Sequence, residues 1–274
     1  MRTPGARSGI ARHLLLAPTA IFAAAPFLWM VTLSLRSGPE MFTEPLRLIP
    51  TNLAGLENYG TALREVPMLR FLANGVIVCG GILALQLLTS APCAYALAKH
   101  QFRGRGALFT TVIIALMIPP QILTIPLFVG LYSAGLLDSY AALILPSAVS
   151  PFAIFLLTQA FRTIPDDLVH AARLDGLSEL SIVWRIMVPA AAPAVLAFSI
   201  LSIVAHWNDL LWPLIAIQDR NLATPPLGVL LFRNQEAGDE YGPLMASAVL
   251  IVAPLIVAFL AAQKRFIKGL TYAT

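Results

Sequence analysis

The sequence predicts an all-α membrane protein with six transmembrane helices, for two reasons. The chain of 274 residues is 58% hydrophobic and only 12% charged, with a mean hydropathy of +0.79, which leaves too little polar surface for a soluble protein of this length. Its apolar residues also fall into six runs, each of about 20 residues or more, the length that crosses a ~30 Å hydrocarbon core as a helix. The runs cover residues 14–35, 71–98, 107–132, 141–161, 194–217 and 242–262.

The first run follows three arginines and begins like a cleavable signal peptide. It continues past Ala25 without a polar break, so we predict an uncleaved first span. In the third run, Pro119 and Pro120 remove two backbone donors and predict a break in the helix that faces inward, because lipid does not tolerate exposed backbone. We expect polar loops at 36–70 and 218–241, the former broken by prolines at 39, 45 and 50.

The basic residues predict the orientation in the membrane. Twelve of the 18 lysines and arginines fall in the N-terminal segment, at 99–106, at 162–188 and in the tail, and six fall in the opposite, longer loops. Lysine and arginine accumulate on the cytoplasmic side, so both termini and the interval 162–188 are predicted to be cytoplasmic. The basic residues form no stripe or run, which argues against a nucleic-acid partner and leaves lipid as the expected surroundings.

Few residues offer catalytic or metal chemistry. Cys79 and Cys93 lie about 21 Å apart along one predicted helix, too far for a disulfide, and no CxxC, HExxH or Cys/His cluster predicts a metal. The only lysines, Lys99, Lys264 and Lys268, do not belong to a phosphate-binding GxxxxGK[ST] loop. We therefore expect a chain that is not an enzyme and holds no cofactor.

The segment 164–193 is the longest amphipathic, charged interval between two apolar runs. Pro165 and the acids that follow it predict a helix start, Gly176 a sharp turn, and Pro189 the end of a second helix. We predict Leu168, Ala171 and Ala172 on the apolar face of the first helix, and Leu180, Val183, Trp184 and Met187 on that of the second. Such a hairpin fits a docking element or a simple anchor to lipid headgroups.

The pattern Ala171-Ala172-x-x-Asp175-Gly176, with Pro189 downstream, resembles the EAA loop in permease subunits of binding-protein-dependent ABC importers. The resemblance implies a type I importer permease fold whose hairpin, 164–189, is the coupling helix that enters a groove of a separate ATPase. His170 stands where the family usually has glutamate. The resemblance assigns ATPase coupling to His170, Ala171, Ala172, Asp175, Gly176, Glu179 and Pro189.

Further segments narrow the resemblance to the carbohydrate-uptake branch; they include 57–59, 94–98, 118–121 and the most specific one, Trp207-Asn208-Asp209. The resemblance to this branch implies a bacterial inner-membrane permease paired with a second, related permease. It also implies two cytoplasmic ATPase copies that carry ATP and Mg, and an extracytoplasmic solute-binding protein. We divide the chain into an N-terminal helix with an external loop (1–69), a transmembrane core (70–262) and a tail (263–274).

Several polar residues lie inside the apolar runs. A buried Asp209 costs about 2.5 to 3.5 kcal/mol on insertion scales, so it should face a partner or an aqueous path. The candidate residues for the translocation path are Trp207, Asn208, Asp209, Gln121 and Asn74. Hydrogen-bonded contacts between helices remain the alternative for each of them.

Two other functions use the same residues. An ion- or proton-coupled secondary transporter would use Asp209 as the carrier, but it gives no role to the hairpin. An intramembrane enzyme would have only His206 and Asp209 as catalytic candidates, with no serine nucleophile or metal ligands beside them.

Overall fold

The computed structural model describes residues 6–36, 55–235 and 241–271, and every regular element within them is helical. The three prolines predicted to break the 36–70 loop lie outside the described residues. The helices are α1 (Ala6–Ser34), α2 (Leu56–Arg64), α3 (Met68–Lys99), α4 (Arg105–Met117), α5 (Thr124–Ser133), α6 (Tyr140–Ile144), α7 (Pro151–Arg162), α8 (Asp166–Leu174), α9 (Glu179–Ala190), α10 (Ala192–Trp207), α11 (Leu211–Ala216), α12 (Pro225–Gln235) and α13 (Tyr241–Thr271).

Three helices are long and apolar enough to cross a membrane unbroken: α1 over Leu16–Ser34, all of α3, and α13 over Tyr241–Ala258. Three further candidates are pairs of helices bent at a short break. The bends are 93° after α4, 45° before α7 and 86° between α9 and α10. With each bent pair counted as one span, the described residues contain up to six candidates, the predicted number. In the last pair only α10 overlaps a predicted apolar run, because α9 belongs to the hairpin 164–189.

The break at Pro119 and Pro120 is confirmed, since α4 ends at Met117 and a short 3₁₀ turn begins at Pro120. Neither proline has an N–H, so the carbonyl of Leu116 loses both its α-helical and its 3₁₀ donor. The Ile118 N–H turns back to the Ala115 carbonyl at 3.3 Å. The chain therefore changes direction at this point.

Three boundaries differ from the predicted runs. The fourth run bends before Pro151, where the Ser150 hydroxyl accepts the Ala153 N–H. The fifth is divided, because α10 ends at Trp207 and α11 begins at Leu211. The predicted loop 218–241 contains α12, whose two leading prolines fit a first helical turn and precede an apolar sequence.

One of two compact units consists of Met1–Met68 and Val229–Pro254. In it, the Asn58 side chain closes the end of α1 by donating to the carbonyls of Ser34 and Arg36 at 2.9 and 2.8 Å. The Tyr59 and Ser34 hydroxyls are hydrogen-bonded at 2.8 Å. The motif at 57–59 thus satisfies carbonyls that every helix end leaves open.

The other unit consists of Leu69–Gly228 and Leu255–Thr274. Its best-packed cluster joins the end of α3 and α7 to the hairpin formed by α8 and α9. The buried members are Ala91, Ala94, Tyr95, Leu157, Phe161, Ile164, Val169, Ala172, Ile182, Val183, Met187 and Ala191. This core holds the candidate functional hairpin.

Candidate functional site

The turn of the hairpin 164–189 is a Schellman motif. Gly176 has φ +80°, its N–H donates to the Arg173 carbonyl at 3.0 Å, and the Leu177 N–H donates to the Ala172 carbonyl at 3.1 Å. These two bonds close the end of α8, and the left-handed backbone that they need suits glycine. The predicted turn at Gly176 is thereby confirmed.

The buried face of the hairpin matches the predicted one only in part, since Ala172, Val183 and Met187 are buried as predicted. Val169 and Ala172 are buried in α8, as are Ile182, Val183 and Met187 in α9. A π-helical turn over Val183–Met187 precedes Pro189, which lacks an N–H, and shifts the register of this face. The predicted apolar residues left exposed are Leu168, Ala171, Leu180 and Trp184.

Glu179 points at its own chain. Its carboxylate accepts the Tyr95 hydroxyl at 2.6 Å and two Arg173 N–H groups at 2.8 and 3.2 Å. His100 Nε2 lies 3.3 Å from the same carboxylate. The hydrogen bond from Arg173, and after it the one from Tyr95, lower the pKa of the Glu179 carboxyl to about 2. Glu179 lies at the start of α9, before the 86° bend between α9 and α10.

The start of the hairpin has a second attachment to α3. The Lys99 ammonium donates to the Ile164 carbonyl and to the Asp166 carboxylate. The hydrogen bond from Lys99 to Asp166 lowers the pKa of the Asp166 carboxyl. Residues 95–100 at the end of α3 therefore contact both helices of the hairpin.

The tip and outer faces of the hairpin remain exposed. Leu174, the last residue of α8, is 89% exposed and Leu180 is 62% exposed. Of the predicted coupling residues, Ala172 is buried and Glu179 is bound as above. The others reach the surface: His170, Ala171, Asp175, Gly176 and Pro189.

Asn74 and Trp207 lie deep in the packed part of the second unit. Asn74 is 2% exposed, donates to the carbonyls of Asn221 and Ala223, and accepts the Tyr140 hydroxyl at 2.6 Å. Trp207 is 3% exposed and lies against Gly75, where an added Cβ would be 3.1 Å from the indole ring. The Asn74 amide thus uses three of its four hydrogen-bonding sites.

The remaining predicted path residues lie at breaks in helices. Asn208 follows α10 and donates to the Val204 carbonyl at 2.7 Å. Asp209 accepts the Trp212 N–H at 3.4 Å, near the start of α11. Gln121 is exposed beside the proline break. Among the described residues, no hydrogen bond joins Gln121 to the other four.

Sequence reasoning missed Asp138. It has φ +59°, and its carboxylate accepts the N–H groups of Gln218 and Asp219 at 2.9 and 2.8 Å. Its own N–H donates to the Ala216 carbonyl at 2.9 Å. The available signal was an isolated acid beside Gly135 in a short loop, since aspartate tolerates the left-handed region.

Apolar helices that form up to six spans, breaks in helices at polar residues and one firmly held amphipathic hairpin are the features of a multispanning membrane protein. Residues 87–272 match the model of the family described as "Binding-protein-dependent transport system inner membrane component". The chain belongs to this family, and its resemblance to ABC importer permeases is confirmed.

Three named relatives are similar over nearly their whole length. The arabinooligosaccharides transport system permease protein AraQ of Halalkalibacterium halodurans is 35% identical, with 92% of this chain and 91% of AraQ covered. The diacetylchitobiose uptake system permease protein NgcG of Streptomyces coelicolor is 30% identical, with 96% and 87% covered. The sn-glycerol-3-phosphate transport system permease protein UgpE of Escherichia coli is 31% identical, with 84% of each covered.

A solved structure shares the fold. A chain of a bacterial ABC transporter involved in the import of the acidic polysaccharide alginate superposes with a TM-score of 0.82 at 24% identity. The match covers 97% of this chain and all of the other. The predicted all-α importer permease fold is confirmed.

Proposed function

We propose that this chain moves a sugar or sugar-like solute into the cytoplasm by alternating access, driven by ATP hydrolysis on a separate ATPase that binds the hairpin 164–189. The solute class is supported by the three relatives, whose names specify an arabinooligosaccharide, diacetylchitobiose and glycerol-3-phosphate. The chain acts with a second, related permease, two ATPase copies holding ATP and Mg, and a solute-binding protein outside the membrane. Both termini and the hairpin lie in the cytoplasm.

The exposed hairpin tip is the observation that carries this proposal. Its core side is fixed to α3, while the terminal Leu174 side chain is almost fully exposed. An exposed leucine at the tip of a firmly held helix offers an apolar contact for a groove on another protein. Because the base of the hairpin is packed in the core, a force applied to the tip can move the hairpin as a folded unit.

The charge of the hairpin favours a protein partner over lipid headgroups. Residues 164–189 contain four acids against two arginines. Glu179 pairs with Arg173 and Asp166 with Lys99, and the remaining charges are two acids, Asp167 and Asp175, against Arg185. Helices that lie on anionic membranes carry mainly lysine and arginine on their polar face. An acidic hairpin is repelled there, whereas a basic groove on an ATPase attracts it.

An uptake experiment tests the energy source. Cells expressing the chain with its partner subunits are given labelled arabino-oligosaccharide, diacetylchitobiose or glycerol-3-phosphate. Uptake of at least one should stop when ATP is depleted and persist when an uncoupler abolishes the proton gradient. The opposite pattern would establish an ion-coupled transporter, with Asp209 as its carrier.

A further inference from the structure

Helix α3 is held by hydrogen bonds at both of its ends, each time to a segment far away in the sequence. At the inner end, Tyr95 donates to Glu179, and Lys99 binds the Ile164 carbonyl and Asp166. Tyr95 is only 3% exposed, and the neighbouring alanines of α3 pack in the same core as the hairpin. The hairpin cannot move far without carrying this end of α3.

At the other end, α3 holds the segment 221–228. Asn74 donates to the carbonyls of Asn221 and Ala223 at 2.8 and 2.9 Å. A Cβ on Gly75 would lie 2.8 Å from the Pro225 ring, and one on Gly228 would lie 2.1 Å from the Phe71 ring. Contacts this close leave little room for sliding, because packed interiors do not deform continuously.

The two attachment sites lie on opposite sides of a membrane. Asn74 and Tyr95 are separated by 21 positions, or about 32 Å along a helix, which is close to the ~30 Å thickness of the hydrocarbon core. Met68–Lys99 continues as one helix of 32 residues through Pro92. A single element thus connects the hairpin to the outer surface.

We propose that α3 transmits movement between the ATPase-binding hairpin and the outer segment 221–228, with Tyr95 and Tyr140 as the positioning residues of its two joints. Tyr140 acts by donating to the Asn74 carbonyl oxygen, which orients the amide toward the outer segment. This inference rests on the proposed function. It predicts that arrival of a solute-binding protein outside accelerates ATP hydrolysis inside through α3.

Removing single hydroxyl groups tests this transmission. Both variants keep the ring: Tyr95→Phe deletes the hydrogen bonds to Glu179 and from Arg173, and Tyr140→Phe deletes the one to Asn74. Tyr132→Phe is the matched control, because its exposed ring stacks on Phe128 and its hydroxyl bonds to no described residue. The complete complex in lipid nanodiscs is assayed for ATP hydrolysis with and without the solute-loaded binding protein.

The stimulation of ATP hydrolysis should fall about tenfold in Tyr95→Phe, whose partner is a carboxylate, and about threefold in Tyr140→Phe. Unstimulated hydrolysis should stay within about twofold of wild type, and Tyr132→Phe should behave as wild type.

Two results would overturn the transmission by α3: unchanged stimulation in both single variants, or an equal loss in the control Tyr132→Phe. Failure of the proposed function looks different. In that case the wild-type chain would copurify with no ATPase, and there would be no hydrolysis to stimulate.

Discussion

A substitution series at Gly176 measures what the turn of the hairpin contributes to ATPase binding. Gly176 has φ +80°, and a Cβ built there meets no atom within 4 Å. The cost of Gly176→Ala is therefore purely conformational, about 1–2 kcal/mol. Gly176→Asn should cost less, because asparagine enters this region more readily. Gly176→Pro cannot reach the required φ and also loses the 3.0 Å bond to the Arg173 carbonyl, which together cost about 3 kcal/mol or more.

The assay is titration of purified ATPase onto the permease in nanodiscs. A loss of 1–2 kcal/mol corresponds to an affinity at most about 5 to 30 times lower for Gly176→Ala, because strain that the free and bound hairpin share cancels, and Gly176→Pro should abolish binding and uptake. Membrane insertion should be normal in all three, because the turn lies outside the spans. Gly135 is the matched control, with φ +67° and equally open space, so Gly135→Ala should bind as wild type. Wild-type affinity in Gly176→Pro, or equal losses at both glycines, would refute the reasoning.

Three further contacts are tested by thermal unfolding of substituted chains. Because the pKa of Glu179 is lowered to about 2 from 4.5, its contribution to stability is complete above about pH 4.5 and is lost as the pH falls through 2. Glu179→Gln should therefore lower the unfolding temperature at pH 7 but not near pH 2. Asp138→Ala should cost about 1–3 kcal/mol by losing two exposed hydrogen bonds of about 0.5–1.5 kcal/mol each, whereas Asp138→Asn, which keeps an acceptor, should be close to neutral. Gly228→Ala should cost about 1–3 kcal/mol by overpacking against Phe71; Gly80→Ala, with open space around it, should cost nothing. A pH-independent Glu179→Gln effect, or equal effects in either matched pair, would contradict these contacts.

Much of the fold was predictable because long apolar runs and paired prolines act locally. The break at Pro119 and Pro120 follows from missing N–H groups alone, and Gly176 follows from the backbone that a Schellman turn needs. The division of the fifth run into α10 and α11 could not be predicted, because only a few polar side chains, at Asn208 and Asp209, interrupt the apolar sequence. Helix α12 was missed because its flanking residues are polar.

The buried face of the hairpin could not be predicted from helical periodicity. Helix α8 offers two adjacent apolar stripes, one containing Leu168 and the other Val169. The core made by α3 and α7 selects the second stripe, and no local pattern records that selection. The contact between Tyr95 and Glu179 could not be predicted either, because the two residues are 84 positions apart in the sequence.

Cross-linking at the hairpin tip tests the proposed function most directly. A cysteine at Leu174, in a chain whose native Cys79 and Cys93 are replaced by serine, is exposed to a short thiol-reactive cross-linker attached to the purified ATPase. The proposal predicts an efficient cross-link at Leu174, lost in Gly176→Pro, and none at Val149, an exposed position in the loop before α7. An uptake-competent complex that cross-links at neither position, or equally at both, would contradict docking through the hairpin.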